Sequence, residues 1–279
     1  RFLVRSSLLD RLTGPLCDDA LGVSGSQALL ESLSRANLFL VPLDGERRWF
    51  RYHHLFADLL RRRALEEAPD ARADVLRRAA VWCDANGVID DAVAYALRAG
   101  DTSYAADVIA RHGIGALAAG EALRALRWVR ALPAEIVHAS PDHCVIAGWS
   151  HTLVENYAVV QDLAGRALDR LALGAREYPS VDDAALHART LQAGAGALDG
   201  SPAAAEAALR ALHAVLAEAG EHSLPVRASA EIMCGKLLCN LGRYDAALPH
   251  HERARDLGER LGSDLLRFAA VTGTVKTLL

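Results

Sequence analysis

The 279-residue sequence is poor in lysine, methionine and aromatic residues. Lys236 and Lys276 are its only lysines, Met233 is its only methionine, and aromatic residues make up 5% of the chain. Because the first residue is Arg1 and not methionine, we expect the chain to be an internal part of a longer protein. Acidic residues (35) outnumber lysine and arginine together (31), so no overall positive charge attracts nucleic acid or an anionic membrane.

Long apolar runs and a disulfide framework are also missing. The cysteines are scattered and odd in number, which favours a reducing compartment over disulfide bonds; they are Cys17, Cys83, Cys144, Cys234 and Cys239. No uncharged apolar run approaches the ~18 residues that a transmembrane helix needs, and no secretory signal is visible. We therefore expect a cytoplasmic location and no membrane partner.

The sequence contains no recognisable catalytic or metal-binding motif. The stretch Gly194-Ala195-Gly196 lacks the Gly-Lys-Ser/Thr end of a phosphate-binding loop, and we interpret its glycines as close-packing positions in a helix. No Gly-x-Ser-x-Gly elbow is present. Two groups of candidate ligands lack the spacing of a metal site: His138, His143, Cys144 and His151, and Cys234, Cys239, His250 and His251. We expect no enzyme activity, no metal and no cofactor within this chain itself.

The first part of the chain combines short helices with the one strong β signal. Apolar spacing predicts a helix over residues 2–12, a second to about Gly22 and a third from Ser24 or Ser26 to Asn37. Residues 38–43 and 48–52 predict two strands joined by the turn dipeptide Asp44-Gly45. Helices followed by one hairpin are the pattern of a winged-helix domain, which we place at residues 1–68.

Only helices are predicted from Asp70 onward. Residues 231–261 resemble a tetratricopeptide repeat, because Gly235 lies on a first helix and Leu241-Gly242-Arg243-Tyr244 forms the turn into a second. Further breaks are predicted, at unequal spacings, at Gly87, Gly113, Gly120, Asn156 and Gly200. The chain is therefore predicted to be mainly α, with an N-terminal winged-helix domain that has one β-hairpin, followed by a tetratricopeptide-like α-solenoid over residues 69–279. Since no helix-capping glycine ends it, we expect the solenoid to be truncated at the C-terminus.

Basic residues around the predicted hairpin are the pattern of a wing that contacts DNA phosphates; they are Arg47, Arg48, Arg51, Arg61, Arg62 and Arg63. The predicted recognition helix carries Gln27, Arg35 and Asn37, but also Glu31. It has no cluster of long donors on one face, which base recognition requires. The arginines equally fit a solvated face or a contact with another domain of a longer protein.

The stretch Arg51-Tyr52-His53-His54-Leu55-Phe56 places a histidine between the wing and a further helix that begins near His54. An imidazole at a helix N-terminus could donate to a phosphate held by a neighbouring domain. The alternative is that His53 only packs against the helix or caps it.

Three segments resemble the winged-helix part of large bacterial regulators of the MalT/LuxR type, a branch of the STAND nucleotide-switch ATPases. They are residues 2–12 (FLVRSSLLDRL), 37–44 (NLFLVPLD) and 51–60 (RYHHLFADLL). The resemblance implies a longer protein with an N-terminal ATPase domain that binds ATP and ADP, this winged helix, a tetratricopeptide-like sensor, and a C-terminal LuxR-type helix-turn-helix that binds DNA. Beyond the winged helix, the chain resembles the family through its repeat character more than through motifs.

The resemblance also implies a role for His53. In STAND switches a winged-helix histidine near this position contacts the bound nucleotide and holds the closed state. His53 is the better match and His54 the alternative. Because the ATPase domain would supply most nucleotide contacts, we expect neither tight nucleotide binding nor hydrolysis by this chain alone.

Three functions are open at this point. The first is the regulatory, signal-sensing part of an ATP-dependent transcription regulator, in which an inducer molecule or a regulatory protein on the solenoid shifts the nucleotide switch. The second is a helical-repeat scaffold for protein–protein interaction without nucleotide switching. The third is direct DNA binding by the wing. Helix order suggests Trp149, His151 and Tyr157 as candidates for the concave binding face.

Overall fold

The computed structural model describes residues 1–67, 69–152, 156–174, 183–197, 201–221 and 223–278. These residues form two compact units, Arg1–Val108 and Ile109–Leu279. The architecture is mainly α, with a two-stranded hairpin in the first unit. The predicted fold class is therefore confirmed.

The first unit contains short helices, the hairpin and then longer helices. Its elements are α1 Phe2–Ser6, α2 Gly14–Leu21, α3 Ser26–Arg35, β1 Leu40–Pro42, β2 Phe50–Tyr52, α4 His54–Glu67, α5 Pro69–Ala85 and α6 Ile89–Arg98. A further helix, α7 Thr102–Ala118, follows. The predicted hairpin is confirmed, with antiparallel pairing of Leu40 with Tyr52 and of Pro42 with Phe50.

The first helix is shorter than the predicted span of residues 2–12, which was wrong at its C-terminal end. Leu12 instead pairs with Phe50, and each backbone N–H donates to the other's carbonyl at 2.8 Å. Both side chains are fully buried. The apolar spacing of Leu8, Leu9 and Leu12 thus reflects burial in the core, because all three are buried but lie outside the helix.

The serine expected to cap the third helix, Ser24 or Ser26, is not its N-cap. The residue that precedes α3 is Gly25, with a φ of 79° and no side-chain capping bond. Ser26 is the first helical residue, and its backbone N–H donates to Asp18 at 3.0 Å. A side chain does cap the second helix, since the hydroxyl of Thr13 accepts from Leu16 N–H at 3.1 Å.

Helices α5 and α6 pack with the winged-helix elements in one compact unit. The hydroxyl of Tyr95 accepts from the backbone N–H of Asp10 at 2.9 Å, and Arg98 donates to Asp10 and to the carbonyl of Leu8, both at 2.7 Å. The compact unit therefore reaches Val108. The division into domains 1–68 and 69–279 stays a prediction about the sequence.

The second unit begins in α7 and is built from consecutive helices joined by short connections. Its further elements are α8 Ala122–Arg130, α9 Ala134–Ala139, α10 Pro141–Thr152, α11 Tyr157–Ala172, α12 Ala184–Gly196, α13 Pro202–Glu218, α14 Leu224–Asn240, α15 Tyr244–Arg260 and α16 Asp264–Leu278. From α10 onward each helix contacts the next, and α10, α12, α14 and α16 also contact one another in order. Contacts to the next helix and the next but one are typical of stacked helical repeats.

The predicted repeat around Gly242 matches α14 and α15. Gly242 adopts a φ of 71° in the turn between them, a conformation that glycine tolerates without strain. An added Cβ on Gly235 would lie 2.4 Å from Cε1 of His251, so the glycine allows the two helices to approach closely. The first helix of the repeat begins earlier than predicted, at Leu224.

The other predicted breaks have mixed outcomes. Gly87 and Gly120 lie in turns with positive φ, and Asn156 precedes α11. Gly113 is not a break, because it lies inside α7, where an added Cβ would come within 2.5 Å of Ile146 Cδ1. Gly200 lies outside the described residues. Within the described part of the chain, no helix is both long and apolar enough to cross a membrane.

Candidate functional site

His53 lies at the junction of the wing and the next helix. Its backbone N–H donates to the carbonyl of Phe39 at 2.7 Å, and its own carbonyl accepts from Ala57 N–H at 2.9 Å, as the residue before a helix does. The His53 side chain is exposed, and its ring centre lies 4.4 Å from that of His54. The backbone of His53 is therefore fixed while its imidazole stays accessible. Both candidate histidines lie together, so the choice between them stays open.

The two histidines line an open cleft of about 400 Å³ on the first unit, the His53 cleft. Its lining is Leu9, Asp10, Val41, Arg51, Tyr52, His53, His54, Ala57 and Arg61. Arg61 donates to Asp10 at 2.8 Å and to the carbonyl of Ser7 at 2.9 Å. Since Arg98 also pairs with Asp10, two guanidinium groups face the one carboxylate of the cleft. Arg51 is exposed and has no ion pair with a described residue.

Aromatic packing and one buried hydrogen bond hold the floor of the His53 cleft. The Tyr52 hydroxyl lies 2.8 Å from Oγ of Ser6, and the tyrosine ring is buried. Burial raises the pKa of Tyr52 to about 12, so this hydroxyl stays protonated and can donate. The ring of Phe56 packs edge-on against Tyr52, with ring centres 5.8 Å apart, and lies tilted against Phe39 at 5.2 Å. The histidines thus lie next to a packed aromatic group that contains one buried hydrogen bond.

The predicted recognition helix has one of its polar side chains, Gln27, bonded within the protein. The amide of Gln27 accepts from Gly14 N–H at 3.1 Å and donates to Glu31 at 2.9 Å and to the carbonyl of Arg47 at 3.1 Å. Base recognition needs free donors and acceptors on such a helix. These bonds favour the interpretation that Gln27 links α3 to the wing by hydrogen bonds.

A second candidate site is an apolar cavity of about 350 Å³ in the second unit, the solenoid cavity. It is lined from α7 by Ile114, Leu117 and Ala118; from α10 to α12 by Trp149, Thr152, Tyr157, Val160, His187, Leu191, Gly194, Ala195 and Ala197; and from α14 and α16 by Pro225, Ser229, Ile232, Met233, Lys236, Leu237, Asn240, Leu265, Leu266 and Ala269. Of the three residues that helix order suggested, Trp149 and Tyr157 line the cavity and His151 does not. A size of this order suits a small organic ligand.

Three polar groups in the wall of the solenoid cavity have hydrogen bonds within the protein. The indole N–H of Trp149 donates to Nδ1 of His187 at 3.0 Å, and the hydroxyl of Thr152 donates to the carbonyl of Gly148 at 3.0 Å. Burial lowers the pKa of His187 to about 4, so its ring is neutral near pH 7. His187 was not singled out from the sequence, where a lone histidine in an alanine-rich helix gave no signal.

Residues distant in sequence meet beside this cavity. The hydroxyl of Ser263, at the start of α16, donates to the carbonyl of Ala118, at the end of α7. Helices near both ends of the second unit thus contribute to one cavity wall. Repeat spacing alone could not have shown this contact, because it joins residues 145 positions apart.

The remaining sequence candidates occupy structural positions. The described residues include no group of three or more His, Cys, Asp or Glu side chains that could hold a metal ion. Gly194 lies in α12, where an added Cβ would come within 2.6 Å of Met233 Cε, which confirms its close-packing role. Buried Glu231 accepts from His250 and Arg253 at 2.5 and 2.8 Å. Burial alone would raise the pKa of Glu231, but these hydrogen bonds lower it overall.

Comparison with known proteins identifies the winged helix. Residues 1–72 match the family described as the MalT winged helix domain. The chain is 31% identical over 189 residues to the serine/threonine-protein kinase PknK of Mycobacterium tuberculosis, covering 67% of this chain and 17% of that protein. It is 31% identical over 208 residues to the HTH-type transcriptional regulator MalT of Cronobacter sakazakii, covering 74% of this chain and 22% of that protein.

The chain spans about a fifth of the length of these curated relatives. Among solved structures, it is similar to the crystal structure of MamA protein, with a TM-score of 0.43 and 13% identity, over 67% of this chain and 92% of that chain. Residues 1–72 thus match the MalT winged helix domain, and the chain is similar to part of an HTH-type transcriptional regulator.

Proposed function

We propose that this chain is the regulatory, signal-sensing part of a LuxR-type, ATP-dependent transcription regulator of the STAND class. The observation that carries the proposal is His53, which is exposed on a MalT-type winged helix in a cleft beside Arg51 and Arg61. A fixed backbone, an accessible imidazole and neighbouring guanidinium groups suit contact with the phosphates of a nucleotide. ADP bound to an ATPase domain would be that nucleotide.

The proposed role of this chain is regulatory and not catalytic. The two relatives bear the names of different activities, a protein kinase and a transcription regulator, yet each matches about two thirds or more of this chain. A segment common to both is better suited to controlling an activity than to performing it. In this scheme ATP and ADP are bound by the ATPase domain, and DNA by a helix-turn-helix of the longer protein in the cytoplasm.

The proposed mechanism is a two-state switch. In one state ADP and His53 hold the winged helix on the ATPase domain, and in the other the winged helix is released. An inducer or regulatory protein that binds the solenoid more tightly in the released state shifts the population towards it, in proportion to its differential affinity. The solenoid cavity is the candidate site for such a small inducer.

The test is ADP binding by the full-length parent protein with His53→Ala, with His54→Ala as the matched neighbour. Loss of a charge-assisted contact should weaken ADP binding about tenfold in His53→Ala and raise transcription without inducer. His54→Ala should behave as the wild type. If only His54→Ala weakens ADP binding, the role belongs to His54.

The competing function is a helical-repeat scaffold for protein–protein interaction without nucleotide switching. Helices that expose apolar side chains such as Phe268 and Val271 favour it, because such residues are suited to further packing. Unchanged ADP affinity and unchanged basal transcription in both histidine variants would support the scaffold and reject the switch.

A further inference from the structure

The solenoid cavity carries one formal charge in an otherwise apolar wall. Among the described residues that line it, Lys236 is the only lysine, arginine, aspartate or glutamate. Its side chain is exposed and has no ion pair or hydrogen bond with any described residue. An unpaired ammonium group at the edge of an apolar cavity is complementary to a ligand that has one anionic end.

Along the cavity face of α14, the charge of Lys236 lies apart from the apolar part of the cavity wall. Ser229, Met233, Lys236 and Asn240 follow each other at spacings of three and four residues, so they lie along one face of the helix. Lys236 and Asn240 mark the C-terminal end of that face. The cavity is lined by apolar, small or internally paired residues near the N-terminal end of this α14 face and on the facing helix α12, such as Leu191.

The wall also argues against a strongly polar ligand. A sugar or a nucleotide needs many hydrogen-bond partners, and a buried polar group that finds none costs about 1–3 kcal/mol. The indole N–H of Trp149, Nδ1 of His187 and the hydroxyl of Thr152 are already bonded within the protein. A di- or triphosphate would further require more than the single cation of Lys236.

We infer that the solenoid cavity binds an amphipathic carboxylate, with its acyl tail among Leu191, Leu237 and Leu265 and its carboxylate at Lys236. The cavity of about 350 Å³ is more than twice the ~150 Å³ of a cavity that holds benzene. It therefore accommodates a tail of roughly a dozen carbons. This inference rests on the proposed sensing role of the solenoid, although the binding itself can be measured apart from that role.

Such a ligand would act on the segments that close the cavity. Ile114 and Leu117 contribute from α7, and Leu265 and Leu266 contribute from α16. A tail between these side chains adds apolar contact to the hydrogen bond from Ser263 to Ala118. Binding therefore favours the conformation in which the ends of α7 and α16 are held together.

The experiment is calorimetric titration of the 279-residue chain with dodecanoate below its micelle concentration, and with dodecanol as the neutral probe. We expect one dodecanoate per chain. Lys236→Met should weaken dodecanoate binding about tenfold, the value of one charge-assisted contact, while Lys236→Arg should bind as the wild type. Arg210→Met makes the same charge change at an exposed position of α13 outside the cavity and should have no effect.

A second variant tests whether the acyl tail occupies the cavity. Ala269→Leu narrows the cavity from α16 and should weaken both dodecanoate and dodecanol, whereas Lys236→Met should not weaken dodecanol. Circular dichroism of each variant establishes that it is folded. Three outcomes would each overturn the inference. In the first, wild type and Lys236→Met bind dodecanoate with equal affinity; in the second, the wild type binds dodecanol and dodecanoate with equal affinity. In the third, neither probe binds.

Failure of the inference and failure of the proposed function give different results. Absence of dodecanoate binding removes the ligand assignment and leaves the ADP result for His53→Ala unaffected. Conversely, tight binding that requires Lys236 supports the ligand assignment even if dodecanoate leaves transcription by the parent protein unchanged, in which case the sensing role of this site is wrong.

Discussion

The indole nitrogen of Trp149 donates a hydrogen bond of 3.0 Å to Nδ1 of His187 in the wall of the solenoid cavity. Because an indole N–H can only donate, Nδ1 of His187 must carry a lone pair, and the ring proton lies on Nε2. A second proton on His187 would break this bond and place a charge in a buried site. The tautomer and the neutral state of the ring therefore follow from one contact.

This contact predicts that the protein is less stable in mild acid. Burial lowers the folded-state pKa of His187 to about 4 from its ordinary 6.5, so between these values the unfolded chain binds the extra proton. The stabilising contribution is complete above pH 6.5 and is lost as the pH falls toward 4. Urea unfolding at pH 7 and pH 5 should show a loss of about 2 kcal/mol from this residue.

The matched variant for that measurement is His187→Gln, whose amide oxygen can still accept from Trp149 and does not titrate. Burial also lowers the pKa of His151 and His251, so the wild type and the variant share their contributions. The difference between the two pH slopes isolates His187. Parallel slopes would show that His187 is not buried in its neutral form.

The close approach of α14 and α15 predicts a steric effect at Gly235. The ring of His251 lies between Gly235 and Gly273, and an added Cβ would come within 2.4 Å of Cε1 at the first and 2.2 Å at the second. Because the ring has no room on either side, Gly235→Ala should destabilise the protein by about 1–3 kcal/mol. Chemical denaturation measures this loss.

Gly165 supplies the control for that substitution. It lies inside α11, and an added Cβ would meet nothing within 4 Å. Gly165→Ala should therefore stabilise the protein by about 0.5–1 kcal/mol through helix propensity alone. Opposite signs at the two glycines are the expected result, and stabilisation at both would contradict the packing of His251.

The sequence was sufficient to predict features that depend on local chemistry. The hairpin was visible because a run of β-forming residues surrounds Asp44-Gly45, and the turn at Gly242 because a glycine-aromatic pair ends one helix and begins the next. The bridge from Leu12 to Phe50 was not visible. Buried turn residues can have the same apolar spacing as a helix, and only the tertiary pairing distinguishes the two.

The two candidate sites differ in the same way, because one lies in a local motif and the other is formed by residues distant in sequence. His53 could be proposed because a short motif carries it, and its neighbours Arg51 and His54 lie in the same motif; its role stays a prediction. The solenoid cavity was largely missed, because Ile114, His187 and Leu265 come from helices that meet only in the folded chain. Contacts between residues so far apart depend on how successive repeats are rotated, which no local pattern encodes.

Burial predicts that one cysteine reacts before the others. Cys17, Cys83, Cys144 and Cys234 are fully buried, and burial raises the pKa of each to about 12. Cys239 is only half-buried. Since the thiolate is the reactive form and must be accessible, Ellman's reagent at pH 8 should modify Cys239 first in the folded protein.

The number of rapidly reacting thiols tests this prediction. Cys239→Ser should abolish the fast phase, and the other thiols should react only when denaturant unfolds the chain. A fast phase that persists in Cys239→Ser would mean that one of the cores around the buried cysteines opens readily. The rate at which Cys239 is modified should also be compared with and without dodecanoate, because Cys239 itself does not line the solenoid cavity.

A buried hydrogen bond between Tyr52 and Ser6 supports the His53 cleft. The Ser6 hydroxyl donates to the carbonyl of Phe2 at 2.9 Å, so the buried Tyr52 hydroxyl is the donor in the 2.8 Å contact between them. Ser6→Ala leaves the Tyr52 hydroxyl buried without a partner, which should cost about 1–3 kcal/mol. Tyr52→Phe removes the hydroxyl itself and should cost about 1 kcal/mol or less, because Ser6 keeps its bond to Phe2.

The double variant distinguishes this bond from simple packing. Once Tyr52→Phe has removed the hydroxyl, Ser6→Ala leaves no buried polar group without a hydrogen-bond partner. The double variant should therefore be no less stable than Ser6→Ala alone. A double-mutant cycle in urea should therefore give a coupling energy of about 1 kcal/mol between the two residues. Strict additivity would mean that the two hydroxyls do not bond. In that case the backbone of His53, which directly follows Tyr52, would lack the support that its proposed contact with a nucleotide requires.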